Sequence, residues 1–180
     1  MQGRSPVVHV SDALRSICVE LGYFDPDSTP NQAQLELGCA LEHAIIQRLR
    51  LDNPGRFTQP GEVIVDGLPG TPDLFDLEDY MCHEIKCTWM STKWVPGSEK
   101  FWKFEVQLMA YTYMLQATSA MLHVCYINGA YPRAGQPRGE GFPYAPVYRV
   151  WQYDWTDKEL SDNWRMLITR RDTMEKSNAR

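Results

Sequence analysis

Two short segments between Gly70 and Trp89 constrain the fold more than any other part of the sequence. Both are extended and mainly apolar, yet the first carries Asp73 and the second carries Glu84 and Lys86. Ionisable groups inside apolar strands are costly unless they are paired, hydrogen-bonded or bound to metal. The stretch is therefore the first indication of a functional site.

The two segments are predicted to pair as a hairpin that closes around Glu78 and Asp79. The predicted strands run from Thr71 to Leu77 and from Tyr80 to Trp89. Because strand side chains alternate, Glu84 and Lys86 share one face with Cys82 and Thr88. His83 points to the other face. Asp76 is out of phase with Asp73, and Asp79 lies in the turn, where acidic residues are common.

A helix predicted from Gln32 to Arg50 carries a second unusual carboxylate. Glu42 falls on the face that is predicted to be buried, which consists of Leu35, Gly38, Ile45, Ile46 and Leu49. Glutamate is seldom fully buried without a partner. Glu42 is therefore favoured over His43, about 100° away around the helix, as a functional residue. A glutamate at the rim of the face, or one bonded to a lysine, is the alternative.

Another helix, predicted from Ser98 to Thr118, is apolar almost all round, which is typical of a buried helix. Its narrow polar sector holds Lys100, Lys103 and Gln107, with Tyr111 at the border. This sector faces either a ligand cleft or bulk water.

The other elements follow from periodicity and turn residues. They are a β-rich run over Pro6–Val10, a helix capped by Ser11 and ending at Gly22, a loop over residues 23–31, a strand over Glu62–Val65, a turn over Gly67–Gly70, strands over Ala120–Ile127 and Val147–Tyr153, a loop over Asn128–Pro146 with Arg133 and Arg138, and a helix from the capping box at Thr156 to Met174. The order predicts one α/β domain over residues 1–180, with a mixed central β-sheet flanked by helices.

Composition limits the class of protein. A length of 180 residues and 43% hydrophobic residues fit one globular domain. The N-terminus lacks a signal-peptide layout and no long apolar run is present, so we expect a cytoplasmic protein without membrane contact. Five scattered cysteines without a C-x-x-C pair argue against a disulfide framework and a zinc or iron–sulfur site. A net charge of −5 argues against coating of nucleic acid by bulk charge.

The carboxylates and the lysine suit phosphodiester hydrolysis. One or two Mg²⁺ or Mn²⁺ ions, held by hard oxygen ligands, can supply a nucleophile and neutralise phosphate charge. Asp73, Glu84 and Glu42 are the candidate ligands, and the Ile85 carbonyl is a further oxygen. Lys86 is placed to orient or activate the attacking water and to offset developing negative charge.

Pro72-Asp73, an interval of ten residues and Glu84-Ile85-Lys86 resemble the motif of the PD-(D/E)XK nuclease superfamily. The segment ending at Glu42 resembles the upstream motif of its RecB-like and lambda exonuclease-like branches. The segment from Gln107 to Tyr111 resembles the Q-x-x-x-Y motif of RecB-like nucleases. The resemblance spans Gly38 to Tyr111.

The resemblance implies a restriction-endonuclease-like core in which Asp73, Glu84 and Lys86 are catalytic. It also implies that Gln107 and Tyr111 position the nucleic-acid strand. A glutamate at position 42, where many RecB-like members have histidine, favours the lambda exonuclease-like form. No cysteine follows Cys125, so the cysteine group of the iron–sulfur members is absent and no such cluster is expected.

The function predicted from the sequence is a metal-dependent deoxyribonuclease, and specifically an exonuclease acting on single-stranded DNA or duplex ends. A phage origin is left open. Endonuclease or junction-resolvase action on the same scaffold is one alternative, and a DNA-binding module that does not cut is another. Homo-oligomerisation and a recombination partner protein are left open. Trp89, Trp94 and Trp102 either stack on bases or close the core, and Lys93, Lys100 and Lys103 either contact phosphates or are merely solvated.

Overall fold

A computed structural model describes residues 7–23, 31–129 and 146–178 of the chain. Its elements are α1 (Val10–Glu20), α2 (Gln32–Asp52), β1 (Phe57–Thr58), β2 (Val63–Val65), β3 (Leu68–Gly70), β4 (Leu74–Asp76), β5 (Met81–Thr88), α3 (Trp102–Met114), β6 (Ser119–Tyr126), β7 (Val147–Tyr153) and α4 (Asp157–Asn178). Within these ranges no helix has the length and apolarity needed to cross a membrane.

A five-stranded mixed sheet forms the centre of the fold, in the order β1-β4-β5-β6-β7. β5 and β6 are parallel and are joined through α3, whereas the other neighbours are antiparallel. Parallel strands need such a crossover, and a helix supplies it. The predicted fold class, a mixed sheet flanked by helices, is confirmed. The predicted single-domain extent of residues 1–180 stays a prediction.

Alternating side chains of β5 and β6 face two different layers. Cys82 and Leu122 belong to the main core with Leu108 of α3, together with residues of α1 and α4. Ile85 instead packs with Leu74 and with Ile46 of α2 in a smaller cluster. Helix α3 therefore packs on one face of β5 and α2 on the other. Each of these layers removes apolar surface from water.

The start of α1 differs from the prediction. His9 is extended (φ −97°, ψ 165°) and is the N-cap, so Ser11 lies inside the first turn. The backbone N–H of His9 donates to Asp12 Oδ2 at 3.0 Å, which explains why the helix begins at Val10. Residues 7–9 form no strand, and Pro6 lies outside the described residues.

The predicted turn over Gly67–Gly70 is wrong, because Leu68–Gly70 is strand β3 and pairs with β2. The chain reverses one step earlier, at Asp66 and Gly67, which have φ angles of 47° and 74°. An Asp-Gly pair with both φ values positive is a favoured two-residue hairpin turn. Strand β1 was not predicted from the sequence, since two residues carry no periodicity.

The helix bounds and faces also need correction. Helix α3 runs over Trp102–Met114 and is shorter than predicted at both ends. Gln116, just after its C-terminus, has a left-handed backbone (φ 52°) that cannot continue the helix. Helix α2 and helix α4 each continue beyond their predicted ends, to Asp52 and Asn178. Leu35 of α2 is 49% exposed and is not part of a buried face. The predicted loops over 23–31 and Asn128–Pro146, with Arg133 and Arg138, lie largely outside the described residues.

Two buried histidines lie on the α2 side of the sheet. Nδ1 of His83 and Nε2 of His123 are 2.9 Å apart, and Nδ1 of His123 is 2.5 Å from the Tyr148 hydroxyl. Burial disfavours the imidazolium form and lowers the pKa of His83 to about 4 and that of His123 to about 3. Both histidines are therefore neutral in the folded protein at neutral pH.

We expect this pair to destabilise the fold in acid. From the ordinary histidine pKa of 6.5 down to about 4, the unfolded chain binds protons at His83 that the folded chain does not bind. The contribution of His83 to the free energy of unfolding therefore falls as pH falls, by about 3 kcal/mol. Urea unfolding at pH 7 and pH 4.5 measures this loss. His123→Phe should reduce this loss of unfolding free energy, whereas His43→Gln, a control at an exposed site, should not. Equal pH dependence in the wild type and both variants would contradict the prediction.

Candidate active site

The site forms where β5 extends beyond the end of β4. Pairing between these strands stops at Leu74 and His83, so the amides of Ile85 and Cys87 have no partner in β4. The Ile85 N–H donates instead to Asp73 Oδ2 at 2.8 Å. The Cys87 N–H donates to Glu42 Oε1 at 2.9 Å. Two carboxylates are thus held at the open edge of β5 because they satisfy backbone donors that would otherwise be unpaired.

Glu42 reaches this edge because α2 packs closely over the end of β5. Gly38, one turn earlier in α2, would place a Cβ 3.9 Å from the Cys87 carbonyl oxygen. The spacing of Gly38 and Glu42 therefore brings both the close contact and the carboxylate onto the same side of the helix. Glu42 is partly buried, as its position on the helix predicted.

Glu84 and Lys86 form an ion pair on the α3 side of β5. Glu84 is 1% exposed, and its Oε1 pairs with the Lys86 ammonium group. The Lys86 side chain is 18% exposed, so this lysine connects the buried carboxylate with the surface. Glu84 Oε2 is buried and has no hydrogen-bond partner among the described residues. An unpartnered carboxylate oxygen of this kind is costly and is often explained by function.

The four ionisable groups influence one another. Burial raises the pKa of Glu84 well above its usual range, and the charge of Asp73 raises it further. Burial also raises the pKa values of Asp73 and Glu42, although the Lys86 charge opposes this for both. Burial alone would lower the pKa of Lys86, but the charges of Glu84, Asp73 and Glu42 outweigh it and raise that pKa. Three carboxylates thus share one cation, which leaves an excess of negative charge when all are ionised.

Gln107 and Tyr111 of α3 lie close to the Glu84–Lys86 ion pair. Gln107 Nε2 donates to the Tyr111 hydroxyl at 2.9 Å. Tyr111 is 4% exposed, and burial followed by the Glu84 charge raises its pKa. Its ring is fixed by Gly70, where an added Cβ would lie 2.8 Å from Tyr111 Cε1. Gly70 is thus a supporting residue that sequence reasoning read only as a turn.

Lys86 opens into a cleft of about 330 Å³ between α1, α2 and α3. Its lining includes Lys103, Gln107 and Arg15, and among the described residues that line it none is acidic. Arg15 was not singled out from the sequence, since α1 shows no motif that marks it. Lys100 lies outside this cleft, and its ammonium nitrogen is 5.0 Å from the centre of the Trp94 ring. Of the polar sector predicted for this helix, Lys103 and Gln107 therefore lie in the cleft, whereas Lys100 lies in the loop before α3.

A second cleft, of about 280 Å³, reaches Glu42 from the other direction. Cys87 and Trp89 line it together with residues of α2, and Leu35 borders both clefts. This shared position explains why Leu35 remains exposed. Trp102, in contrast, packs against the main core and meets the Tyr23 ring edge to face.

Asp76 and Asp79 have a structural explanation. Asp76 is fully buried and accepts a hydrogen bond from Arg56 Nε at 2.8 Å, and Arg56 also pairs with Asp79. The backbone N–H groups of Glu78 and Asp79 donate to Asp76 Oδ1. These bonds hold the β4–β5 turn, and the Arg56 guanidinium contributes to a lowered Asp76 pKa despite burial.

The donor chemistry of the site fits a hard divalent cation, but the side chains are not arranged as a finished ligand set. Across the described ranges, no three His, Cys, Asp or Glu side chains stand together as a ready metal-binding group. Asp73 and Glu42 are turned toward backbone amides and Glu84 toward Lys86. The unpartnered Glu84 Oε2 and the all-oxygen donor set are what a Mg²⁺ or Mn²⁺ ion requires.

Comparison with solved structures relates the fold to exonucleases. A phage-related exonuclease from Haemophilus somnus 129PT superposes with a TM-score of 0.51 at 14% identity, over 90% of this chain and 78% of that chain. Its likeness shows a shared fold. An alkaline exonuclease from Laribacter hongkongensis gives a TM-score of 0.45 at 15% identity, over 94% of this chain and 84% of that chain. The sequence matches no protein-family profile and no curated protein.

Proposed function

We propose that this chain is a metal-dependent deoxyribonuclease that hydrolyses phosphodiester bonds at DNA ends. The observation that carries the proposal is the Lys86–Glu84 ion pair, set beside Asp73 and Glu42 and opening into a cleft that Lys103 and Arg15 also line. A negative centre that can hold a cation, next to a cationic approach for phosphates, is the combination that phosphodiester hydrolysis needs. The shared fold with a phage-related exonuclease supports it.

Each site residue has a proposed role. Asp73, Glu84 and Glu42, with the Ile85 carbonyl, would hold one or two Mg²⁺ or Mn²⁺ ions. Such ions lower the pKa of bound water and neutralise charge on the phosphate. Lys86 would orient or activate the attacking water and offset the negative charge that develops on the phosphate.

Residues of α3 and of the loop before it would bind substrate. Gln107 would hold the strand at the mouth of the site, with Tyr111 fixing the orientation of its amide through their hydrogen bond. Lys103, in the same cleft as Lys86, would contact a phosphate, and Lys100 would contact the strand farther out. The approach to the site is thus cationic although the whole chain carries a net charge of −5.

We infer action at DNA ends in recombination, repair or degradation, of the RecB-like or lambda exonuclease-like kind. The support is the motif order from Gly38 to Tyr111 together with the fold. A homo-oligomer or a recombination partner protein, a phage origin and a cytoplasmic location remain predictions.

One gel tests this function. Linear duplex and supercoiled circular DNA are incubated with the protein and Mg²⁺ or Mn²⁺. Release of nucleotides from linear DNA alone is the expected result, and the matched variant Asp73→Asn should release none. Cutting of the circle would favour the endonuclease or resolvase alternative. Intact linear, single-stranded and circular DNA would overturn the proposal.

A DNA-binding module that does not cut is the second candidate, and one observation favours it. The carboxylates of Asp73 and Glu42 are already satisfied by backbone N–H groups, and that of Glu84 is paired with Lys86. In such a module the carboxylates would be structural and no cation would bind. Titration with Mn²⁺ separates the two candidates.

A further inference from the structure

The loop between β5 and α3 presents a tryptophan surrounded by cations. The ammonium nitrogens of Lys93 and Lys100 lie 5.2 and 5.0 Å from the centre of the Trp94 ring. Both lysines are exposed, and the Trp94 side chain is half-buried. A lysine over an exposed aromatic ring gains only about 0.5–1 kcal/mol. The lysines can therefore leave the ring for a better partner at small cost.

The backbone under this tryptophan is fixed. The Trp94 carbonyl accepts a hydrogen bond from the Tyr126 hydroxyl at 2.5 Å, and its N–H donates to the Ser91 carbonyl at 3.0 Å. Arg149 of β7 donates to the Thr92 carbonyl at 3.2 Å, which brings a further cation to the same loop. An aromatic ring on a hydrogen-bonded loop, with exposed cationic side chains beside it, suits a ligand that has both flat apolar faces and phosphates.

The cations continue from this loop to the proposed active site. Lys103 follows Lys100 by three residues, and its pKa is lowered by burial and, in part, by the charges of Lys86 and Lys100. Lys86 and Lys103 line the same cleft. A row of lysines therefore runs from Lys86 through Lys103 to Lys100 and the ring of Trp94. Glu99, next to Lys100 in sequence, is one opposing charge at the outer end.

We propose that Trp94, Lys93, Lys100 and Arg149, here named the Trp94 platform, bind a single-stranded segment of DNA outside the cleavage site. A base stacks on the Trp94 indole and replaces the lysines, which move to the flanking phosphates. Stacking of a base on an aromatic side chain contributes about 1–3 kcal/mol, more than the displaced cation–π contacts. A paired base in a duplex does not offer its face in this way, so the platform selects single strands. The link to cleavage rests on the proposed nuclease function, but the binding does not.

The test measures binding without cleavage. The full chain is titrated in EDTA against a fluorescent single-stranded oligothymidylate and a blunt duplex of equal length, by anisotropy. Trp94→Leu should weaken single-strand binding about 10-fold and duplex binding much less. Trp94→Phe, which keeps an aromatic ring, should fall between. Trp155→Leu is the matched control, because Trp155 stacks on Tyr153 away from the platform and should bind as the wild type does.

Salt dependence provides a second readout that needs no change at Trp94. Each phosphate contact on a single strand contributes about −0.7 to the slope of log K against log salt. Lys93→Gln combined with Lys100→Gln should therefore make the slope shallower by about 1.4. This double variant decides the matter if Trp94→Leu does not fold.

The outcomes separate the platform from the nuclease. Weaker single-strand binding in Trp94→Leu supports the platform even where the wild type cuts no DNA, a result that would overturn only the nuclease proposal. Wild-type affinity in Trp94→Leu, equal loss in Trp155→Leu, or an unchanged salt slope in the double lysine variant would overturn the platform even where the wild type cuts DNA normally.

Discussion

Replacing Lys86 with methionine is expected to slow DNA hydrolysis roughly 10²–10⁴-fold, the range that a positioned proton-transfer group contributes. The ammonium group beside Glu84 is the cation nearest the three carboxylates and opens into the cleft. Methionine keeps the apolar stem of the side chain and removes only the charge and the donors. Initial rates of nucleotide release from linear duplex DNA measure the effect.

In Lys86→Met, a loss of fold stability must be distinguished from a loss of catalytic rate. Removing one partner of a buried ion pair costs about 3–5 kcal/mol, because the other charge stays buried. The raised pKa of Glu84 reduces this cost, since the carboxyl group can take up a proton instead. The double variant Glu84→Gln, Lys86→Met removes the whole pair and should unfold near the wild-type temperature while remaining inactive.

A surface lysine provides the control. Lys158 of α4 is 83% exposed and pairs with Asp162 far along the chain from the site. Lys158→Met should cut DNA at the wild-type rate. Undiminished activity in Lys86→Met, with the variant folded, would remove Lys86 from the proposed mechanism.

The sequence predicts the strands of the site well because their side chains alternate between different environments. Glu84 and Lys86 do face α3, and Ile85 packs toward α2. The hairpin from β4 to β5 is confirmed, but β4 covers only Leu74–Asp76 of the predicted strand Thr71–Leu77, so Asp73 lies just outside it. These features depend on local periodicity, which one sequence records directly.

Contacts between distant segments could not be predicted from local periodicity. The hydrogen bonds from Ile85 to Asp73 and from Cys87 to Glu42 exist because β4 begins only at Leu74 and leaves these amides of β5 without a strand partner. No pattern within either segment specifies where its partner stops. The fit of Gly70 against Tyr111 and the cap at His9 likewise depend on tertiary packing and on a hydrogen bond that propensity does not reveal.

The second large effect is expected from the divalent cation. EDTA should abolish cleavage and Mg²⁺ or Mn²⁺ should restore it, because in the proposed mechanism the cation supplies the activated water and neutralises phosphate charge beside three carboxylates. Calorimetry should detect Mn²⁺ binding to the wild type and at least 10-fold weaker binding to Asp73→Asn, as loss of a direct ligand should cost no less than loss of its supporting partners. Glu78→Gln, in the exposed β4–β5 turn, should bind as the wild type does.

The pKa values of the site predict how this binding depends on pH. Burial raises the pKa values of Glu84, Asp73 and Glu42, so these carboxylates take up protons at a higher pH than ordinary carboxylates do. A cation binds only the deprotonated groups, so Mn²⁺ affinity should rise with pH and binding should release protons. Titrations in two buffers of different ionisation enthalpy measure that release. A wild-type chain that binds no Mn²⁺ would instead support the module that binds DNA without cutting, since its carboxylates would then serve only the amides of β5 and the ammonium group of Lys86.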